Sequence, residues 1–226
     1  MVCLRDNISN KITVATLDGK SYYKIINILK TLQIDYEELS PLDAQRTDSK
    51  IIITSKKESN VFKKRNIMLD SDLSDNLIIV KAKIIRKFMQ THIYDQLVIG
   101  IDPGSRIGIS IFYYYNEVDS IVLSSEKSTI DFIYQILSSI NSKKKIIRIG
   151  NGDMNMAKNI AYYLKNKFKD LIHIEIVDEY GTSNKNIGRN RRGIKDKSAA
   201  RSIAFRNGKT YKLYDDNTIR NIKMMK

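Results

Sequence analysis

The 226-residue sequence has very little cysteine or histidine and no long apolar run. Its single cysteine, Cys3, excludes an internal disulfide and a cluster of thiolate metal ligands. The two histidines, His92 and His173, are too few for a typical zinc site. No apolar run approaches the length of about 18 residues that crosses a bilayer, and the first residues lack a signal-peptide pattern. We therefore expect no membrane insertion and a reducing, cytoplasmic location.

Acidic residues are the minority charge. The chain has 39 Lys and Arg against 25 Asp and Glu, which gives a net charge of +14. Such an excess most often serves binding to a polyanion, with nucleic acid first and an anionic membrane surface second. A soluble protein from a lysine- and isoleucine-rich proteome would have a similar composition, so charge alone does not decide. The apolar content of 42% is sufficient for a packed core.

Residues 1–75 predict a small αβ domain whose role the sequence does not indicate. The segment "KITVATL" (11–17) has the composition of a strand, and an amphipathic helix follows with Ser21 as its N-cap. A second strand at 50–55 is expected to return parallel to the first, which would form a right-handed βαβ unit. Residues 76–95 are predicted to be a connector that contains a strand, "NLIIV", and then a helix.

Residues 96–226 predict a second domain with a clearer order of elements. Strands at 97–101 and 107–115 are followed by a third strand, "DSIVLSS". Amphipathic helices then alternate with the strands "KKIIRIG" and "IHIEIV", and the last helix contains "KDKSAARSIAF". The order β-β-β-α-β-α-β-α predicts an α/β fold with a mixed sheet covered by helices.

Four acidic residues lie at the ends of these elements. Asp102 ends the buried strand in "LVIGIDPGSRIGISIF" (97–112), and Asp153 and Glu179 follow two later strands, while Asp196 starts the final helix. Each of them could instead form a turn or cap a helix. Because ligands bind at the carboxyl ends of strands in open α/β sheets, we expect the acids to converge. Converging carboxylates suit Mg²⁺ or Mn²⁺, and two such ions could clamp a phosphodiester.

Three motifs carry a family resemblance. "GIDPGSRIGIS" resembles the first-strand motif of RuvC-type Holliday junction resolvases, which belong to the ribonuclease H-like superfamily. "VDEYGTS" and "DKSAA" are similar to the strand-end and last-helix motifs of the related YqgF-type branch. The resemblance covers about residues 96–208. It implies a ribonuclease H-like fold in which Asp102, Glu179, Asp196 and Asp153 are catalytic ligands of Mg²⁺ or Mn²⁺.

The sequence departs from this family pattern at two places. Tyr180 stands where the YqgF-type motif has an arginine. The segment "IGNG" is also similar to the YqgF-like domain of a transcription accessory protein, in which this strand end need not bear an acid. Residues 1–75 match neither of the two family patterns.

A basic segment, "YGTSNKNIGRNRRGIK", lies between Glu179 and Asp196. Its cations are predicted to contact phosphate oxygens, which guanidinium groups match in a bidentate way, and Arg106 of the first motif is predicted to join them. A solvated surface loop is the alternative. The residues predicted to bind nucleic acid are Lys185, Arg189, Arg191, Arg192, Lys195 and Arg106.

Together these features predict a Mg²⁺-dependent endonuclease that cleaves structured nucleic acid. By resemblance, the expected substrate is branched DNA such as a Holliday junction, in DNA recombination and repair. Symmetric cutting of a four-way junction needs two active sites, so a homodimer is expected. Two alternatives stay open at this point: an RNA-processing nuclease of the YqgF type, and a non-catalytic nucleic-acid-binding module.

Overall fold

The computed structural model describes residues 12–63, 65–179 and 192–213. The chain divides into two compact units. The first comprises the residues up to Asp95 together with Tyr113–Val118, and the second comprises Gln96–Phe112 and the residues from Asp119 onward. Both units are α/β, with sheets flanked by helices. In the described part of the chain, no helix combines the length and the apolar composition that crossing a membrane requires.

The first unit is built on a four-stranded parallel sheet with the order β2-β1-β3-β4. Its strands are β1 (Ile12–Val14), β2 (Glu37–Glu38), β3 (Ile51–Thr54) and β4 (Ile67–Leu69). Two helices, α1 (Gly19–Thr31) and α2 (Leu77–Met89), bury apolar side chains in one core with β1, β3 and β4. The parallel pairing of β3 with β1 confirms the predicted return of the chain.

Helix α1 begins three residues earlier than predicted. Asp18 is its N-cap, and the Asp18 carboxylate accepts a hydrogen bond of 2.9 Å from the backbone N–H of Ser21. Ser21 lies inside the helix, and its hydroxyl donates to Asp70 at 2.8 Å. Aspartate and serine cap helices about equally well, so the sequence pattern could not choose between them.

The strand predicted at 76–80 is wrong, because this segment begins helix α2. The side chain of Asn76 caps the helix by accepting hydrogen bonds from the backbone N–H groups of Ile78 and Ile79. A short apolar run fits a strand and a buried helix equally well, and only its length decides. The helix packs into the core of the first unit, which therefore includes most of the predicted connector. Its buried side chains are Val80, Ala82, Ile84, Ile85 and Phe88.

A six-stranded sheet with the order β10-β9-β8-β5-β6-β7 belongs to the second unit except for its residues within Tyr113–Val118, which group with the first unit. Strands β5, β8 and β9 are parallel, and β10 is antiparallel to β9. Strands β6 and β7 are antiparallel, because a two-residue turn joins them. The strands are β5 (Gln96–Asp102), β6 (Ile107–Tyr113), β7 (Asn116–Leu123), β8 (Lys144–Gly150), β9 (His173–Val177) and β10 (Lys209–Thr210).

Three helices complete the second unit. They are α3 (Glu126–Ser139), α4 (Met154–Phe168) and α5 (Arg192–Ala204). Helices α3 and α4 pack against each other, whereas α5 lies across strands β5 and β8. The predicted α/β class, with a mixed sheet and flanking helices, is confirmed for this unit.

Candidate active site

Helix α5 rests directly on the main chain of the sheet, because glycines leave the surface beneath it bare. A Cβ atom at Gly100 would overlap the backbone oxygen of Ala200, and a Cβ atom at Gly108 would overlap the backbone oxygen of Asp196. Glycine within a strand often marks such a close approach. The strand patterns of "LVIGI" and "RIGIS" contained this signal, which the sequence analysis missed.

Asp102 lies on the face of the sheet that α5 covers. It is the last residue of β5 and stands two positions after Gly100, so their side-chain directions share one face. Asp196 is the fifth residue of α5, and its backbone lies against Gly108 of β6. The expectation that Asp196 starts the helix is therefore wrong, since the helix already begins at Arg192.

Glu179 reaches the same edge from strand β9. Ile101 of β5 pairs with Ile149 of β8, so Asp102 and Gly150 occupy the next positions on neighbouring strands. The Glu179 carboxylate lies over Gly150, where a Cβ atom would overlap Oε1. The backbone N–H of Gly152 donates to that same Oε1 at 2.9 Å.

Asp102 interacts electrostatically with two other carboxylates. Burial, together with the negative charges of Glu179 and Asp196, raises the pKa of Asp102 from 3.8 to about 7. Like charges held in a partly desolvated place disfavour ionisation in this way. The structure thus brings together three of the four acids that the sequence singled out.

One oxygen of the Asp196 carboxylate is buried beside a cation. Its Oδ2 is buried and accepts no hydrogen bond from the residues that the structure describes. The Nε atom of the Arg106 guanidinium lies 3.2 Å from Oδ2 in an ion pair. The Arg106 side chain is 49% exposed, so it also faces solvent.

Asp153 is engaged differently. It is the N-cap of helix α4, and its Oδ1 accepts a hydrogen bond of 3.0 Å from the backbone N–H of Met156. It is not one of the two carboxylates that raise the pKa of Asp102. A helix-capping role therefore accounts for Asp153 in this structure.

Only part of the predicted phosphate-binding set lies in the described residues. Lys195 is exposed on α5, one position before Asp196, and Arg106 is paired with Asp196. Arg192 is the first residue of α5, and the structure describes its backbone only. Outside the described residues lie Lys185, Arg189 and Arg191.

The donor chemistry of the three acids fits a hard divalent cation. Burial and the neighbouring carboxylates disfavour the charged form of Asp102. The buried Oδ2 of Asp196 is ion-paired with Arg106 but accepts no aligned hydrogen bond from the described residues. A bound cation would satisfy both groups, since Mg²⁺ and Mn²⁺ prefer carboxylate oxygens. Within residues 12–63, 65–179 and 192–213, however, no group of three or more acidic, His or Cys side chains is already arranged to hold a metal ion.

Two further residues that the sequence analysis did not select support the site. Arg148 of β8 is mostly buried and donates to Glu175 of β9 at 2.8 Å and to the backbone oxygen of Ala204 at 2.7 Å. It therefore ties the end of α5 to the sheet. Asn151 accepts a hydrogen bond of 3.0 Å from the backbone N–H of Glu179. The sequence does carry a signal for Arg148, because it is a charged residue inside the apolar run "KKIIRIG" and a buried charge needs a partner.

Neither protein-family models nor curated proteins give a match to this sequence.

Proposed function

We propose that the second unit is a metal-dependent endonuclease of the ribonuclease H-like fold. The observation that carries the proposal is the coupling of Asp102 to Glu179 and Asp196 on one edge of the sheet. These acids come from a first strand, a late strand end and a last helix, as the three motifs imply. The mixed sheet and the order of its elements are consistent with the same fold.

In this proposal Asp102, Glu179 and Asp196 hold Mg²⁺ or Mn²⁺. When bound, such a cation offsets phosphodiester charge and makes a water molecule a better nucleophile. Asp102 must lose its proton before it can act as a ligand, so its pKa of about 7 limits occupancy in mildly acidic solution. Arg106 lies beside Asp196 with half of its side chain exposed, and it can pair with a phosphate oxygen from there.

The proposed substrate is structured nucleic acid, with branched DNA as the leading candidate by resemblance. The net charge of +14 favours a polyanion. Contacts from Arg106, Lys195 and the basic segment would position the backbone without reading sequence. Cutting both strands of a four-way junction symmetrically would require a homodimer, with one site on each subunit.

The test is cleavage of a four-way DNA junction in Mg²⁺, with a structured ribosomal RNA precursor assayed in parallel. We expect Asp102→Asn to lower the cleavage rate at least about 100-fold, because a preorganised charge is lost from the site. Asp131→Asn is the matched control, since Asp131 is exposed on α3. Equal cutting by the wild-type protein and Asp102→Asn contradicts the proposal, and cutting of the RNA alone favours the RNA-processing alternative.

A non-catalytic nucleic-acid-binding module is the second candidate. It is favoured by the finding that no three acidic, His or Cys side chains among the described residues are already arranged to hold a metal ion. This candidate predicts binding that persists in EDTA and no cleavage with any divalent ion. If about four phosphates are neutralised, the logarithm of the affinity falls with the logarithm of salt concentration at a slope near −4.

A further inference from the structure

The turn that follows strand β8 holds Glu179 at two places. Asn151 Oδ1 accepts the backbone N–H of Glu179 at 3.0 Å, which fixes the main chain two residues after β9. The backbone N–H of Gly152 donates to Glu179 Oε1 at 2.9 Å, which fixes the carboxylate. Main chain and side chain of the same acid are thus held by adjacent residues of one turn.

The turn is also shaped to admit the carboxylate. A Cβ atom at Gly152 would lie 2.7 Å from Glu179 Oε2 and 3.0 Å from Oε1, closer than side-chain carbons are normally found. Gly152 is not in the left-handed backbone region. The missing side chain, rather than backbone freedom, therefore explains the glycine at this position.

Asparagine suits its own position in the turn because it is an acceptor and a donor at once. While Oδ1 accepts from Glu179, Nδ2 faces Asp178 Oδ1 at 3.4 Å. An aspartate here would keep the acceptor but would place a second negative charge beside Asp178. An alanine would remove the acceptor for the backbone N–H of Glu179.

We infer that Asn151 is a positioning residue which, with the bare backbone of Gly152, holds Glu179 beside Asp102 as a ligand for a divalent cation. The inference rests on the proposed function and adds to it the group that orients one ligand before the cation binds. Outer groups that orient metal ligands typically change metal affinity by about 10- to 100-fold when removed. We expect an effect of that size here.

The experiment measures Mn²⁺ binding to the full-length protein by calorimetry, in the absence of nucleic acid. Asn151→Ala removes the acceptor, and Gly152→Ala fills the space of the carboxylate, so both should weaken Mn²⁺ binding about 10- to 100-fold. Asn155→Ala is the control for the first, because Asn155 is exposed on α4. Gly19→Ala is the control for the second, since a Cβ atom there meets nothing within 4 Å.

A second readout separates positioning from a general loss of structure. Cleavage by Asn151→Ala should approach the wild-type rate at high Mn²⁺, with an unchanged KM for the junction and a thermal midpoint close to that of Asn155→Ala. Asn151→Asp, which keeps the acceptor, should bind Mn²⁺ better than Asn151→Ala. If Asn151→Ala does not fold, Gly152→Ala decides.

The two levels of the proposal fail differently. Wild-type affinity for Mn²⁺ in folded Asn151→Ala and Gly152→Ala, together with loss of binding in Asp102→Asn, overturns the role of Asn151 and leaves the nuclease proposal standing. Absence of Mn²⁺ binding to the wild-type protein overturns the metal-dependent function itself, and the positioning role with it.

Discussion

Glu37 of the first unit and Asp102 of the second unit are carboxylates in opposite environments. In the first unit, Glu37 accepts hydrogen bonds from the hydroxyl groups of Thr13, Ser49 and Thr47, which lower its pKa. In the second unit, burial and two neighbouring carboxylates raise the pKa of Asp102 to about 7.

Glu58 of the first unit resembles Glu37. Burial acts to raise its pKa, but hydrogen bonds from Ser55, Thr16 and the backbone N–H of Leu17 outweigh that effect and lower it. A carboxylate surrounded by donors stabilises the fold. A carboxylate surrounded by carboxylates destabilises it, and such a site is a candidate for function.

The largest effect we predict in this comparison concerns glycines. Gly108→Ala should lower the free energy of unfolding by about 3 kcal/mol, because the added methyl group overlaps the backbone of α5 and the helix must shift. Gly19→Ala in the first unit should leave it unchanged or raise it by up to about 1 kcal/mol, since the site is open and alanine favours helix. Denaturant titration of both variants measures the difference. Wild-type stability in Gly108→Ala would show that α5 does not rest on β6.

Two substitutions that each remove a carboxylate charge should change the free energy of unfolding in opposite directions at pH 8. Glu37→Gln should lower the free energy of unfolding by about 1–2 kcal/mol, because three hydroxyl groups lose an ionised acceptor. Asp102→Asn should raise it by about 1–2 kcal/mol in metal-free protein, a value discounted for partial solvent screening. Glu38→Gln, at an exposed position, is the control. Destabilisation by Asp102→Asn would contradict the electrostatic picture of the site.

The Asp102 effect should also depend on pH. A carboxyl group whose pKa is raised from 3.8 to about 7 favours the folded state while it is protonated. Its stabilising contribution is therefore complete below about pH 4 and is lost as the pH rises through about 7. In metal-free protein, Asp102→Asn and the wild type should have the same thermal midpoint near pH 4. By pH 8 the midpoint of Asp102→Asn should be the higher of the two. A gap that does not change with pH would show that Asp102 keeps an ordinary pKa.

The smallest effects are expected at Asp153. Asp153→Asn should cleave within about twofold of the wild-type rate and unfold at the same temperature, because asparagine caps a helix as well as aspartate does. Asp153→Ala should lower the free energy of unfolding by about 1 kcal/mol, since the backbone N–H of Met156 then lacks its acceptor. Cleavage rates and thermal midpoints of the two variants check this. A large loss of cleavage in Asp153→Asn alone would make Asp153 a fourth ligand.

Much of the second sheet could be predicted from the sequence, because its strands are runs of β-branched residues between clear breaks. The strand predicted as "KKIIRIG" has the same bounds as β8. The elements of the first unit are harder to predict from the sequence. Strand β2 consists of Glu37 and Glu38, a pair without any strand signal, and the apolar residues 77–80 suit either a helix or a strand.

The candidate site was predictable only where a residue stands at the end of an element. Asp102 ends strand β5 and Glu179 follows strand β9, and the topology brings the ends of these strands to one edge. The role of Asp153 could not be chosen, because a cap and a ligand use the same side chain at the same position. Asn151 was missed because its partner lies 28 residues away in the chain, beyond any local pattern.

The bare main chain beneath α5 has a consequence for how the site responds to mutation. Where Gly100 and Gly108 touch the helix, backbone meets backbone, so no rotamer can lengthen or shorten that contact. At these two points the distance between helix and sheet is set by the main chain, so the two glycines have no acceptable replacement.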